Sequence, residues 1–294
     1  MIAASAGPTS RFYISQRLKL HYADWGNPGA PPLLLLHGGR DHCRSWDWVA
    51  SRLCHKWHVM ALDWRGHGDS AWSPDGSYGT TSFIYDLAQF IHQLKLAPIT
   101  IVAHSYGGSI SLRYAGIYPD HVKRIVAIEG LGWSPKILAE RNAKPVEERM
   151  RAWIEGKRVR AGKDLKRYAS IEDAADRMQE ANAHLSPAQV RHLTEHGVLS
   201  NEDGTYSWKF DRYFRSWPPY DIPEDDVHRL WSRITCPALM IYGRQSPASN
   251  ATEDGRSAHF KTARFEFVDN AGHWVHHDQL ELFMAMTEGF LGEP

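Results

Sequence analysis

The segment Val102-Ala103-His104-Ser105-Tyr106-Gly107-Gly108 puts a serine where an apolar strand must turn sharply into a helix. A serine hydroxyl attacks poorly unless it projects from a tight turn toward a base and an anion-stabilising donor. Small residues two before and two after it let strand and helix approach that closely. Backbone N–H groups at the start of the following helix favour negative charge as it develops. Ala103 holds the first small position; it keeps the turn, although its Cβ restricts the backbone more than glycine would. A second glycine-rich turn, His37-Gly38-Gly39-Arg40-Asp41-His42, follows the apolar run Leu33–Leu36. With Ser105, it reads as half of an oxyanion hole whose donors are the amides of Gly39 and Tyr106. A phosphate loop is disfavoured, since neither a P-loop Lys-Ser/Thr pair nor G-x-G-x-x-G is present. The third group is Asn270-Ala271-Gly272-His273-Trp274-Val275-His276-His277, just past a strand, with His273 as the candidate base and His276 and His277 as helix-start residues. No metal site is expected, because the histidines lack H-E-x-x-H spacing.

The elements that must position these groups follow from periodicity. Leu18, Leu20 and Tyr22 alternate with polar neighbours, as in a half-buried strand. Leu33–Leu36, His58–Leu62, Ile99–Ala103 and Ile125–Ile128 are short runs apolar on both faces, which suits the centre of a parallel sheet. Between them, Phe83, Ile84, Leu87, Phe90, Ile91 and Leu94 recur at helical spacing, and Tyr106 to Tyr118 reads as a helix stopping near Pro119. That alternation predicts an α/β fold with an open, mostly parallel sheet flanked by helices. It stops from about Leu131 to Leu230, a charged, mainly helical stretch with a hairpin signal at Asp203-Gly204, and resumes with strands at Ala238–Tyr242 and Arg264–Val268 and a helix at Leu280–Phe290. The expected organisation is a core of residues 1–131 and 231–294 with a cap (lid) of residues 132–230 over the sheet's carboxyl edge, where such sheets bind ligands.

Composition narrows the function classes. The 294 residues carry 34 Lys plus Arg against 34 Asp plus Glu, so the chain lacks the basic footprint of a nucleic-acid binder. Three scattered cysteines make no disulfide framework. No apolar run reaches the roughly 18–20 residues of a membrane span. Met1 to Ser10 lacks the features of a secretory signal, so a cytoplasmic location is expected, with oligomeric state left open. Between Lys136 and Arg167, eleven Lys/Arg face five Asp/Glu; this is most simply a solvated helix face, with attraction of an anionic substrate the lesser reading.

In their order, His37-Gly38-Gly39, Asp63-x-Arg65-Gly66-His67-Gly68-x-Ser70, His104-Ser105-Tyr106-Gly107-Gly108 and Gly272-His273-Trp274 resemble the α/β-hydrolase superfamily, with serine hydrolase-like and esterase members nearest. The resemblance implies a Ser–acid–His order, a cap over the pocket and no cofactor. It also exposes a departure. The acid usual in the Gly-x-x-Asp turn after the later strand is replaced in Gly243-Arg244-Gln245-Ser246 by a serine, which cannot be an anionic partner. The other location known in the superfamily closes the strand after the nucleophile helix, and there Glu129 follows Ile128. Glu129 is the expected third member, with Glu253, Asp254 and Asp269 as rivals. Asp63, Arg65 and His67 are expected to tie a turn. Arg40, Asp41, His42, His104, Trp133 and Trp274 are assigned to the substrate pocket. The expected activity is hydrolysis of a carboxylic ester or related small acyl compound through an acyl-enzyme. Carbon–carbon bond or lactone hydrolysis, or ligand binding without catalysis, are the alternatives.

Overall fold

The runs that are apolar on both faces form the middle of the sheet in a computed structural model, which describes residues 7–216 and 218–292. Residues 1–6, part of the stretch read for a secretory signal, lie outside the described residues. The chain runs β1 (Thr9–Ser15), β2 (Leu18–Asp24), β3 (Pro32–Leu36), α1 (Asp47–Leu53), β4 (His58–Leu62), α2 (Thr80–Gln93), β5 (Ile99–His104), α3 (Tyr106–Ile117) and β6 (Val122–Ile128). An inserted segment then holds α4 (Pro135–Asn142), α5 (Val146–Ala161), α6 (Ile171–Ala181), α7 (Pro187–Gly197) and the hairpin β7 (Val198–Ser200)–β8 (Tyr206–Trp208). The chain closes with α8 (Glu224–Ser232), β9 (Ala238–Gly243), β10 (Ala263–Val268), α9 (Val275–Asp278) and α10 (Leu280–Leu291).

Strand order is β1-β2-β4-β3-β5-β6-β9-β10. Strands β4 to β10 in that order are parallel, while β1 and β2 are antiparallel additions at one edge. Because side chains alternate along a strand, each central strand serves two cores. Leu34, Leu36, Ile101, Ala103, Ile125 and Ala127 face α2, α3 and α8. Leu33, Leu35, Val102, Val126, Ile128 and Ile241 face α1, α9 and α10.

Two elements differ from the expected plan. Strand β1 carries no inward apolar pattern: Phe12 and Ile14 point outward while Tyr13 and Ser15 are buried. Helix α8 buries Val227 and Trp231 in the same core as α3. The boundary expected between residues 230 and 231 thus falls inside a helix that packs on the sheet layer.

Since β3, β5, β6, β9 and β10 are parallel, their carboxyl ends share one edge of the sheet. His37-Gly38-Gly39, Ser105, Glu129, Ser246 and His273 all follow those ends. The inserted segment leaves β6 at that edge, and the chain returns through α8 to the amino end of the adjacent parallel strand β9. No helix among the described residues is long and apolar enough to cross a membrane.

Candidate active site

Ser105 sits between β5 and α3 with φ +51° and ψ −115°, a backbone state that costs about 1–3 kcal/mol and persists only where its surroundings enforce it. Its N–H donates to the Ile128 carbonyl at 2.7 Å. A Cβ on Gly107 would stand 2.6 Å from the Leu36 carbonyl oxygen, and one on Gly108 would stand 2.6 Å from the Gly130 Cα. Only glycine lets α3 begin this close to β3 and β6.

His273 bridges Ser105 and Glu129. Its Nε2 is 3.0 Å from the Ser105 hydroxyl oxygen, and its Nδ1 is 2.5 Å from Glu129 Oε2. A proton on Nδ1, donated to the carboxylate, leaves the Nε2 lone pair facing the hydroxyl. Glu129 also has a positive φ, +49°. Its Oε1 accepts from the Gly243 N–H at 3.0 Å, and its Oε2 accepts from the Ser246 hydroxyl at 2.6 Å. The Glu129 side chain is fully buried while that of His273 is 42% exposed, so the acid is sealed and the base faces the cleft. The rival carboxylates are engaged elsewhere: Asp254 pairs with Arg256 at 2.7 Å, Asp269 with Arg244 at 2.9 Å, and Glu253 takes the Asn250 amide at 2.7 Å.

Beneath the base, the buried His104 ring donates from Nε2 to the His273 carbonyl at 2.9 Å. Burial, then the charge of His273, holds its pKa well below the usual histidine value, so it brings no positive charge against an imidazolium forming 4.7 Å away. Tyr106 is the first residue of α3, where an N–H has no intrahelical acceptor. A Cβ on Gly39 would meet the Phe214 ring at 2.5 Å, and the same ring packs on that of Tyr106 at 5.2 Å between centroids.

The turn after β4 is tied as expected. Asp63 accepts from His21 Nδ1 at 2.7 Å and from the Cys43 and Asp69 amides at 2.7 and 3.0 Å. Burial works to raise the Asp63 carboxyl, but these bonds and the neighbouring histidines outweigh it and hold it far below the usual carboxylate range. Arg65 makes a buried two-pronged pair with Asp86 of α2, both contacts at 2.6 Å. His67 donates to the Arg65 carbonyl at 3.0 Å and meets the Phe214 ring edge-on at 4.6 Å between centroids.

The expected pocket residues separate. Arg40, Asp41, His42 and Trp274 line a cavity of about 20 Å³, room for one water. Asp41 caps its own turn through the His42 amide at 2.8 Å and Ser45 at 2.9 Å, and His42 Nε2 donates to the Leu193 carbonyl at 2.9 Å. Trp133 is 56% exposed and does not line that cavity. Two contributors escape sequence reasoning. Ser246 was rejected as an acid, yet it holds the acid. Phe214, in the inserted segment, carries no motif.

With this geometry in place, the comparisons with known proteins fall into line. A family profile described as alpha/beta hydrolase fold matches residues 31–280. The chain belongs to the alpha/beta hydrolase family. An esterase of Mycobacterium tuberculosis is 27% identical over 91% of this chain and 84% of its own length. The N-formylmaleamate deformylase of Pseudomonas putida is 26% identical over 94% of both. Among solved structures, a thioesterase domain from the curacin biosynthetic pathway superposes with a TM-score of 0.84 at 21% identity, covering 97% of this chain and 100% of that one, a likeness of fold. Membership and relatives together support a hydrolase. The carboxylate that meets His273 is that of Glu129, directly after β6.

Proposed function

We propose that the protein is a serine hydrolase that cleaves a carboxylic ester or related acyl compound through an acyl-enzyme. The observation that carries this reading is the continuous relay from the Ser105 hydroxyl through His273 to the buried Glu129. In the first half-reaction, Ser105 Oγ attacks the acyl carbon while His273 Nε2 takes its proton. Glu129 holds the imidazole tautomer and stabilises the imidazolium. The Gly39 and Tyr106 amides donate to the oxyanion of the tetrahedral intermediate. His273 then returns the proton to the leaving group, the acyl group remains on Ser105, and water activated by the same histidine releases it.

The inserted segment acts as a lid in this scheme. It is fastened over the glycine-rich turns by Asp211, whose N–H donates to the Gly66 carbonyl at 2.8 Å and whose carboxylate takes the Tyr78 hydroxyl at 2.5 Å. A decayed, non-catalytic scaffold would rest on the missing acid after Gly243; the contact between Glu129 and His273 supports the catalytic reading over it. The test is covalent labelling by a fluorophosphonate probe. Labelling of the wild type, lost in Ser105→Ala, is the expected result, and a folded wild type that does not label overturns the proposal.

A further inference from the structure

The lid carries a cleft of about 390 Å³ on its α4–α5 face, within the size range of small-molecule sites. Five cations line it, Arg141, Lys144, Arg149, Arg160 and Arg215, against the single carboxylate of Glu148. Backbone carbonyls hold several of these guanidinium groups. Arg149 donates to Pro219 at 3.4 Å, and Arg160 to Gly156 at 2.7 Å and Arg215 at 3.3 Å. Such bonds orient a cation without neutralising it. Burial lowers the Arg141 pKa, the opposing charge of Asp221 works against it, and the like charge of Arg149 adds a smaller lowering. Two buried polar atoms of lining residues, Arg149 Nε and Ser216 Oγ, have no hydrogen-bond partner among the described residues, although buried polar groups are normally satisfied. A planar or tetrahedral anion supplies acceptors of the kind such donors lack and relieves the repulsion.

One end of the cleft is continuous in the chain with a residue of the candidate active site. Arg215 and Ser216 directly follow Phe214, whose ring packs on Tyr106 at 5.2 Å between centroids and covers Gly39. We propose that this cleft binds a carboxylate or phosphate group carried by the acyl substrate, so that the preferred substrate is an anionic acyl compound. This inference rests on the hydrolase reading above.

The experiment compares the mono-4-nitrophenyl ester of glutaric acid with its methyl-capped, neutral counterpart. In the wild type, kcat/KM is expected to favour the anionic ester by at least tenfold at low salt, with the ratio shrinking as ionic strength rises. The ratio should fall toward one in Arg149→Gln and, separately, in Arg160→Gln. Arg158→Gln, 71% exposed and outside the cleft, should keep the wild-type ratio and rates. A wild-type ratio of one overturns the proposal. Calorimetric titration of Ser105→Ala with glutarate and with inorganic phosphate separates this from failure of the hydrolase reading. Saturable glutarate binding, weakened at least tenfold by Arg149→Gln, sustains the cleft even if neither ester turns over. No binding overturns it, and binding with an ester ratio of one overturns the substrate assignment in favour of a free anion.

Discussion

The Ser246 hydroxyl lies 2.6 Å from Glu129 Oε2, the same carboxylate oxygen that takes the His273 ring nitrogen at 2.5 Å. Ser246, in the turn after β9, thus donates to a carboxylate that follows the neighbouring strand β6. Glu129→Gln should therefore lower kcat by about 10³–10⁴-fold, as loss of a triad carboxylate does elsewhere, with the far-ultraviolet spectrum unchanged. Near-normal turnover would remove Glu129 from the relay.

Ser246→Ala deletes one hydrogen bond to a charged group, typically about 1.5–3 kcal/mol, so kcat should fall by about tenfold or more with KM nearly unchanged. Placing Asp at position 246 in the Glu129→Gln background rebuilds an acid beside His273. That double variant should recover at least tenfold in kcat over Glu129→Gln alone. Absence of recovery would show that the two positions cannot exchange the role.

Gly39→Ala sets a methyl group against the Phe214 ring at 2.5 Å. Either the ring or the oxyanion turn must move, which should cost about 1–3 kcal/mol in urea unfolding and lower kcat. In a Phe214→Ala background the same substitution should cost much less, because residues in contact couple energetically. Additive losses would mean that the clash is relieved some other way.

Asp86→Asn removes half of a buried ion pair and leaves the Arg65 guanidinium without its anion. Unfolding free energy should drop by about 3–5 kcal/mol, read from denaturant midpoints at constant slope. A loss below about 1 kcal/mol would show that Gln16, which takes Arg65 Nη2 at 2.7 Å, suffices as partner.

Acid should unfold the protein through its buried histidines. Burial first, then neighbouring histidines among other charges, lowers His37 and His277 to about 3, and burial lowers His67 to about 4. In the unfolded chain these rings take up protons near 6.5. Between those limits the unfolded state binds more protons, so stability rises with pH. It is complete above about 6.5 and is lost as pH falls toward the folded values, by up to about 1.4 kcal/mol per pH unit for each ring. A Tm that stays flat from pH 6.5 to 4.5 would contradict this.

The sheet was readable because its central strands are apolar on both faces, and Leu33–Leu36 and Ile125–Ile128 have no other place to be buried. Strand β1 was not, since its outward Phe12 and Ile14 invert the usual alternation at an edge. Ser105, Glu129 and His273 were candidates because they follow strand ends, which a parallel sheet gathers on one edge, and the structure brings the three into contact. The roles of Ser246 and Phe214 could not. A hydroxyl that donates to a carboxylate 117 positions away, or a ring that fills the space over a glycine, leaves no periodic or local trace. In the cationic stretch of the insertion, Lys136, Arg151, Arg158, Lys163, Lys166 and Arg167 are exposed, as on a solvated face, while Arg141, Lys144, Arg149 and Arg160 line a cleft, because sequence shows charge but not concavity.

Buried Arg256 reaches the Gly132 carbonyl at 3.4 Å and that of Trp133 at 3.5 Å, and is itself fixed by Asp254 at 2.7 Å and the Ser249 hydroxyl at 2.7 Å. The clamp closes on the chain just after Glu129 and just before the insertion begins. The start of the insertion is therefore held to the loop after β9, next to the chain that carries Glu129. The insertion is thus tethered at two separate points, at its start by Arg256 and over Gly39 by Phe214, and a change in its sequence or length has to keep both.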